Sequence, residues 1–331
     1  MHVDEESPSQ DGDSGLFSQC NMIRIFSFIA ILAWTADGFC TGVPAKLPVQ
    51  PMFSVDVDTF LGQNTRRRSG GGRVWTNLYY GGTTLKPKQE DKIHPTLYGV
   101  QLGLDVQKAH GVYSTCFFNF NQSKTRFDGN PSTIDNYLLG YGKFWYLQRC
   151  HFVFTGSIGY DQHKISNAGT YQGDGLQANL FSEYGLNIPL GRWGFKPFYA
   201  LHYDFLYQGK IGSGGDVLKS EWNGHGLNQL FGLRINWQAK EKLTFQGRAV
   251  WLHEMLDHPP PFYHVRFSPT HGINTPAIMH YRGNTGRDWA WLGIGGKLEG
   301  AFNVYLFFDY DLLLNERHIT HLASFGLCLG W

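Results

Sequence analysis

The 331-residue chain sets 28 Lys and Arg against 27 Asp and Glu, and a net charge of +1 leaves no basic footprint for nucleic acid. Aromatics make up 16%, glycines number 41 and charged residues reach only 17%, a balance richer in rings and Gly than soluble domains carry. Outside the N-terminus no apolar run approaches the roughly 20 residues of a spanning helix, so any membrane crossing has to be made by strands.

Residues 1–21 are acidic, rich in Gly and Ser and without apolar period, and read as a disordered leader. Met22-Ile-Arg24, an apolar core over 25–34 and a small-residue region then have the anatomy of a secretory signal, assigned to residues 22–45. Ala36-Asp-Gly38, Cys40-Thr-Gly42 and Val43-Pro-Ala45 are alternative processing sites; Asp37-Gly-Phe39 is a poor acylation context for Cys40. An acidic leader opposes insertion, so translation is expected to begin at Met22. Residues 46–72 lack strand alternation and read as a linker or rudimentary passenger, lying in a lumen or in solvent. They hold a mildly helical piece over 53–64, the basic run Arg66-Arg-Arg68 and a hinge at Gly70 to Gly72.

From Arg73 onward the sequence settles into alternating runs of about ten residues. Twelve are read, at 74–80, 96–106, 112–121, 136–147, 151–160, 176–188, 195–207, 228–238, 243–254, 288–298, 303–311 and 323–331. Tyr98, Val100, Leu102, Leu104 and Val106 form one apolar face, as do Tyr199, Leu201, Tyr203, Phe205 and Tyr207, which put His202 and Asp204 on the other. The connections alternate long and short without exception, from 81–95 and 107–111 through 255–287 and 299–302 to 312–322. Short turns at one end, long loops at the other and an even strand count are properties of a bacterial outer-membrane barrel. A soluble sandwich gives no reason for loop length to follow such a rule.

In the last run Phe325, Leu327, Leu329 and Trp331 fall on one face and Ser324, Gly326, Cys328 and Gly330 on the other. Val304, Leu306, Phe308 and Tyr310 repeat the pattern opposite Tyr305, Asp309 and Asp311. The closing Ser324-x-Gly326-x-x-Leu329-x-Trp331 resembles the C-terminal signal by which outer-membrane barrels reach their assembly machinery, with Leu329 where that pattern more often has an aromatic.

Together these runs resemble the C-terminal translocator barrel of autotransporters (type V secretion). Gly72-Arg-Val-Trp75-Thr-Asn-Leu-Tyr-Tyr-Gly-Gly82 is similar to its first strand and Tyr98-Gly-Val-Gln-Leu-Gly-Leu-Asp105 to its second. The segment 193–203 resembles the middle of that barrel, and Phe231-Gly-Leu-Arg-Ile235, Ala249-Val-Trp-Leu-His-Glu254 and Leu292-Gly-Ile-Gly295 resemble the strands that follow. The likeness spans residues 72–331. It implies an outer-membrane location, an upstream segment exported with the barrel's help, no catalytic residue, no cofactor and no metal. The implied partners are outer-membrane lipid, the barrel-assembly machinery and the inner-membrane secretion channel, and the barrel is expected to be a monomer. Two departures stand out: about thirty residues separate signal and barrel where relatives carry a large passenger, and the Asn-Asn of the self-cleaving subclass is missing, Asn64 standing alone.

Enzymatic barrels, lipase or protease, form the alternative class, with a small porin or surface-loop adhesin beside them. No His has Ser two positions on, His253-Glu254 lacks a second His four residues later, and Gly-x-Ser-x-Gly does not occur. Asp309 with Asp311, and His202 with Asp204, are the remaining acid or acid–imidazole pairs. With Glu183, Arg234, Arg248, Glu254 and Lys297 they read as a polar lining that pairs within itself or holds the segment 66–68. His258, His264, His271 and His280 are spaced irregularly around Pro259-Pro-Pro261, as in a surface loop. Five cysteines without C-x-x-C spacing argue against a zinc site; Cys116 and Cys328 read as strand residues, and a Cys116–Cys150 bridge stays open. The expectation is a barrel domain over residues 73–331, all-β, of twelve antiparallel strands.

Overall fold

The computed structural model describes residues 71–330 except 86–95, 110, 128–129, 148, 168, 214–215, 220–221, 257–263, 267–268, 271–272, 275–277, 281–286, 301–302 and 317. The assigned leader, signal and linker, including Arg66 to Arg68, lie outside the described residues, as does Trp331.

Twelve long strands form the fold. They are β1 (Gly72–Leu85), β2 (Thr96–Ala109), β3 (Val112–Phe127), β4 (Asn130–Tyr146), β5 (Cys150–Asn167), β6 (Gly169–Leu186), β7 (Trp193–Gln208), β8 (Trp222–Lys240), β9 (Leu243–Glu254), β10 (Asp288–Glu299), β11 (Val304–Leu314) and β12 (His318–Gly330). Each pairs antiparallel with its sequence neighbours, and β1 pairs with β12 from Arg73↔Gly330 to Leu85↔His318, so the sheet closes on itself. Closure satisfies every strand's backbone donors and acceptors, which hydrocarbon demands.

The register also fixes the tilt. From Asn77, successive partners Gln101, Asn119, Leu138, Gly159, Gln177 and Leu206 lead to Gly224 on β8. In the other direction Gly326, Phe307, Lys297 and Thr244 lead to Gln238 on the same strand. The two walks land 14 residues apart on β8, a stagger that tilts the strands by about 40° to the barrel axis.

Side chains alternate between a buried interior and an exposed exterior. The exterior belt is apolar: Leu139 is 60% exposed, Ile158 67% and Ile294 63%. A continuous band of this kind far exceeds the few hundred square ångströms a soluble monomer leaves bare, and it matches the lipid-facing band of a membrane barrel. Aromatic rings edge the band. Near the tight turns Trp193, Trp237 and Phe245 stack side by side, with centroids 5.6 and 5.8 Å apart. Toward the opposite end Tyr80 faces Tyr98 and Tyr137 faces Tyr160 in register. Beyond those tyrosines the outer face turns polar: Gln122 donates to Asp135 at 2.6 Å and Lys164 reaches the same carboxylate at 3.3 Å.

The ladders run further than their hydrophobic alternation. Residues 122–135 and 161–175, expected as loops, continue pairing to Phe127↔Asn130 and Asn167↔Gly169. Above the belt both faces meet water, so polar residues occupy both and the period-two signal disappears while hydrogen bonding persists. The short segment Ile211–Ser213 adds to β6 there and pairs with Asp216–Lys219. At the other end the turns are tight, with left-handed backbone at Gly111 (φ 70°), Gly191 (φ 61°) and Asn303 (φ 58°), residues that tolerate it. In the connection over 255–287, His264 faces His280 in a two-stranded ladder, while His258 and His271 lie outside the described residues. Cys116, Cys150 and Cys328 are free thiols, so the Cys116–Cys150 bridge left open by the sequence is not formed.

Candidate functional site: the barrel interior

Interior packing begins with glycines. Trp75, Phe117, Phe198 and Phe307 each point inward opposite a glycine on the neighbouring strand: Gly103, Gly140, Gly232 and Gly326. A Cβ on any of these glycines would come within 2.3 Å of the ring it faces. The rings thus lie flat along the wall rather than crossing the bore, and the interior surface between them carries polar groups alongside buried apolar ones such as Leu138, Leu230 and Leu252.

Two ionic clusters occupy the middle of the interior. Arg234 on β8 grips Glu183 on β6 with two parallel bonds of 2.6 and 2.5 Å, and His151 Nε2 lies 2.8 Å from the same carboxylate. The guanidinium also lies over the Phe198 ring, 4.0 Å from its centroid. In the second cluster Arg248 on β9 reaches Asp311 from Nε at 2.7 Å and Asp309 from Nη2 at 2.8 Å, both on β11. Trp291 donates its indole N–H to Asp311 at 2.8 Å.

Both clusters span one intervening strand, and small residues make that reach feasible. Arg248 passes over Gly293 of β10, where a Cβ would sit 2.1 Å from its Nε and 2.3 Å from Asp311. Ala200 of β7 is the register partner of Glu183. Forked, charge-assisted pairs of this geometry are the strong ones.

Nearer the tight turns, Arg73 pairs with Asp105 at 2.5 Å, Trp75 donates to Asp105 at 3.1 Å, and the Lys297 ammonium lies 4.0 Å from the centroid of Tyr305. Lys196 is buried at the same end. Toward the opposite end the buried ionisable groups are mainly acidic or imidazole: Asp161, His163, His202, Asp204 and Glu254. The tight-turn mouth therefore carries Lys196 and Lys297 beside the Arg73–Asp105 pair, and the opposite mouth carries Asp161, Asp204 and Glu254.

The residues singled out from sequence are distributed as follows. Glu183, Arg234, Arg248 and Asp309 enter the two clusters. His202 and Asp204 are buried on the inner face of β7; the His202 ring centroid lies 6.4 Å from that of Phe181, and Asp204 leans over Gly226. Glu254, buried, is the register partner of Asn228. Of the closing motif, Ser324 and Gly326 face inward, Gly326 beneath the Phe307 ring, and Leu329 faces outward between Val74 and Val304. The sequence reading passed over His151, Lys196 and the Arg73–Asp105 pair. Their position on the inward parity of their strands was the available signal; their partners lie on other strands and leave no trace in local pattern.

Residues 74–311 match the family described as Autotransporter beta-domain. The chain belongs to that family. Among solved structures, this autotransporter β-domain is similar to the translocator domain of NalP from Neisseria meningitidis, at 14% identity and a TM-score of 0.61, covering 83% of this chain and 95% of the other. It is also similar to the β-domain of the Bordetella autotransporter BrkA, at 16% identity and a TM-score of 0.59, covering 80% and 100%. The transport unit of AIDA-I from Escherichia coli follows, at 15% identity and 0.54, covering 85% and 99%. No curated protein sequence matches. These likenesses carry the fold, and family membership carries the role: an autotransporter translocator barrel that assists export of an upstream segment.

Proposed function

We propose that this autotransporter β-domain sits in the outer membrane with its tight turns in the periplasm and conducts the segment upstream of Gly72 to the cell surface through its interior. The observation that carries this reading is the combination of an apolar exterior with a closed, polar interior. Lipid faces the first, and a hydrated chain requires the second.

On this reading residues 22–45 deliver the chain through the inner-membrane secretion channel and are removed. Residues 46–72 are the first cargo and lie in the conduit. Glu183, His202, Asp204, Arg234, Arg248, Glu254 and Asp309 line it, and the pairing of Arg234 with Glu183 and of Arg248 with Asp309 keeps a passing chain from being held at those charges. Ser324, Gly326, Leu329 and Trp331 are read by the assembly machinery. The barrel works as a monomer without catalytic chemistry of its own.

A reporter domain fused after residue 45 tests the reading. The expected result is a reporter that protease removes from intact cells; a reporter that stays protected until the outer membrane is breached overturns it.

A further inference from the structure

Among the described residues, three interior amides have no hydrogen-bond partner at either end. Gln177 on β6, Asn228 on β8 and Gln246 on β9 are 3%, 1% and 4% exposed, and neither the oxygen nor the nitrogen of any of them is bonded. A buried primary amide left open in this way is destabilising, and native folds seldom tolerate it without use. On another stretch of wall Asn77, Gln101 and Asn119 are register neighbours on three adjacent strands. Asn77 touches Gln101 at 3.5 Å, and Asn119 accepts the Tyr79 hydroxyl at 2.8 Å. Asn77 Oδ1, Gln101 Nε2 and Asn119 Nδ2 remain open.

The six amides are spaced along the bore. Gln246 is near the tight-turn end of β9, Asn77 and Gln101 are at mid-height, and Asn228 and Gln177 are in the opposite half. The spread is roughly 20 Å, at about 3.3 Å per residue on strands tilted by about 40°.

We propose that these amides form a track that binds the main chain of an extended polypeptide in transit. A primary amide offers one donor face and one acceptor, the complement of a peptide group's C=O and N–H. Being neutral, it reads no side-chain charge, so it suits any sequence. Repetition along the axis lets one contact form as another breaks. The track rests on the export reading above and names what that conduit holds on to.

The test uses the full-length protein in planar bilayers with two neutral probes of equal length, a Gly-Ser repeat peptide and polysarcosine. Polysarcosine keeps the carbonyls but has every amide nitrogen methylated, so it cannot donate. The Gly-Ser peptide is expected to block single-channel current with a dwell time on the order of tenfold longer than polysarcosine, the ratio that about 1.4 kcal/mol of hydrogen bonding gives. In Gln177→Leu/Asn228→Leu/Gln246→Leu the two dwell times should converge; if that triple variant does not assemble, Asn228→Leu alone should lower the ratio. Equal dwell times on the natural protein, absence of blockade by either probe, or a ratio untouched by the variants overturns the track. A reporter retained in the periplasm while the dwell ratio holds would instead remove the export reading and leave the track standing.

Discussion

Arg248 ties β9 to β11, because its guanidinium is the shared partner of two carboxylates, the buried Asp311 and the part-buried Asp309. Removing it alone strands both charges, and breaking a buried pair from one side costs about 3–5 kcal/mol. Arg248→Leu should therefore lower the urea midpoint of the detergent-refolded barrel, followed by the shift between compact and unfolded bands on a gel. Arg248→Leu/Asp309→Asn/Asp311→Asn should recover most of that loss. Space matters as much as charge nearby. Gly140 faces Phe117, and a Cβ there would stand 1.9 Å from the ring. Gly140→Val is expected to cost about 1–3 kcal/mol through overpacking on the same titration, whereas Gly247→Val on the lipid face, where a Cβ meets nothing within 4 Å, should leave the midpoint unchanged.

At the level of strands, the division between belt and projecting hairpin is the feature to test. Leu139 and Gln122 both face outward, one within the apolar band and one above it. Leu139→Arg should destabilise the lipid-embedded barrel by about 2–4 kcal/mol, the cost of a cation near the midplane, while Gln122→Arg should stay within about 0.5 kcal/mol as a surface change. Equal effects, measured by denaturant titration in lipid vesicles, would displace the boundary argued from the tyrosine ring. The same division explains how much could be read beforehand. Within the belt, alternation such as Leu102, Leu104 and Val106 against Gln101 and Asp105 is dictated by lipid on one side, so all twelve strands and the parity of their connections were legible. Above it Gln122, Asp135 and Lys164 outside and Asn121, Asn136 and Asp161 inside are polar alike, and the ladder through 122–135 left no pattern. Inward charges such as Glu183 and Arg248 were recoverable from parity, but their pairing was not: Arg234 and Asp311 lie across an intervening strand, fixed by the 14-residue stagger and by small residues such as Gly293.

For the molecule as a whole, closure of β1 on β12 is the event that leaves no edge in the membrane. Thr76 and Leu327 are register partners on the outward face of that seam. Thr76→Cys/Leu327→Cys should form a disulfide on mild oxidation of the assembled protein, and unfolding the barrel in reducing-agent-free detergent should then give a faster-migrating, looped species; pairing that appears only after denaturation would mean that the seam lies elsewhere. The belt and the seam together make the wall impermeable, so whatever passes must use the bore.

That bore is lopsided in charge, with Lys196 and Lys297 near one opening, where Asp105 balances Arg73, and Asp161, Asp204 and Glu254 near the other. An insulating tube built this way is an electrical rectifier: small ions should carry more current under one polarity than under the reverse, and exchanging Lys196→Glu together with Asp204→Lys should flatten the asymmetry. The direction in which the barrel is threaded through a bilayer could then be read from the sign of its current alone.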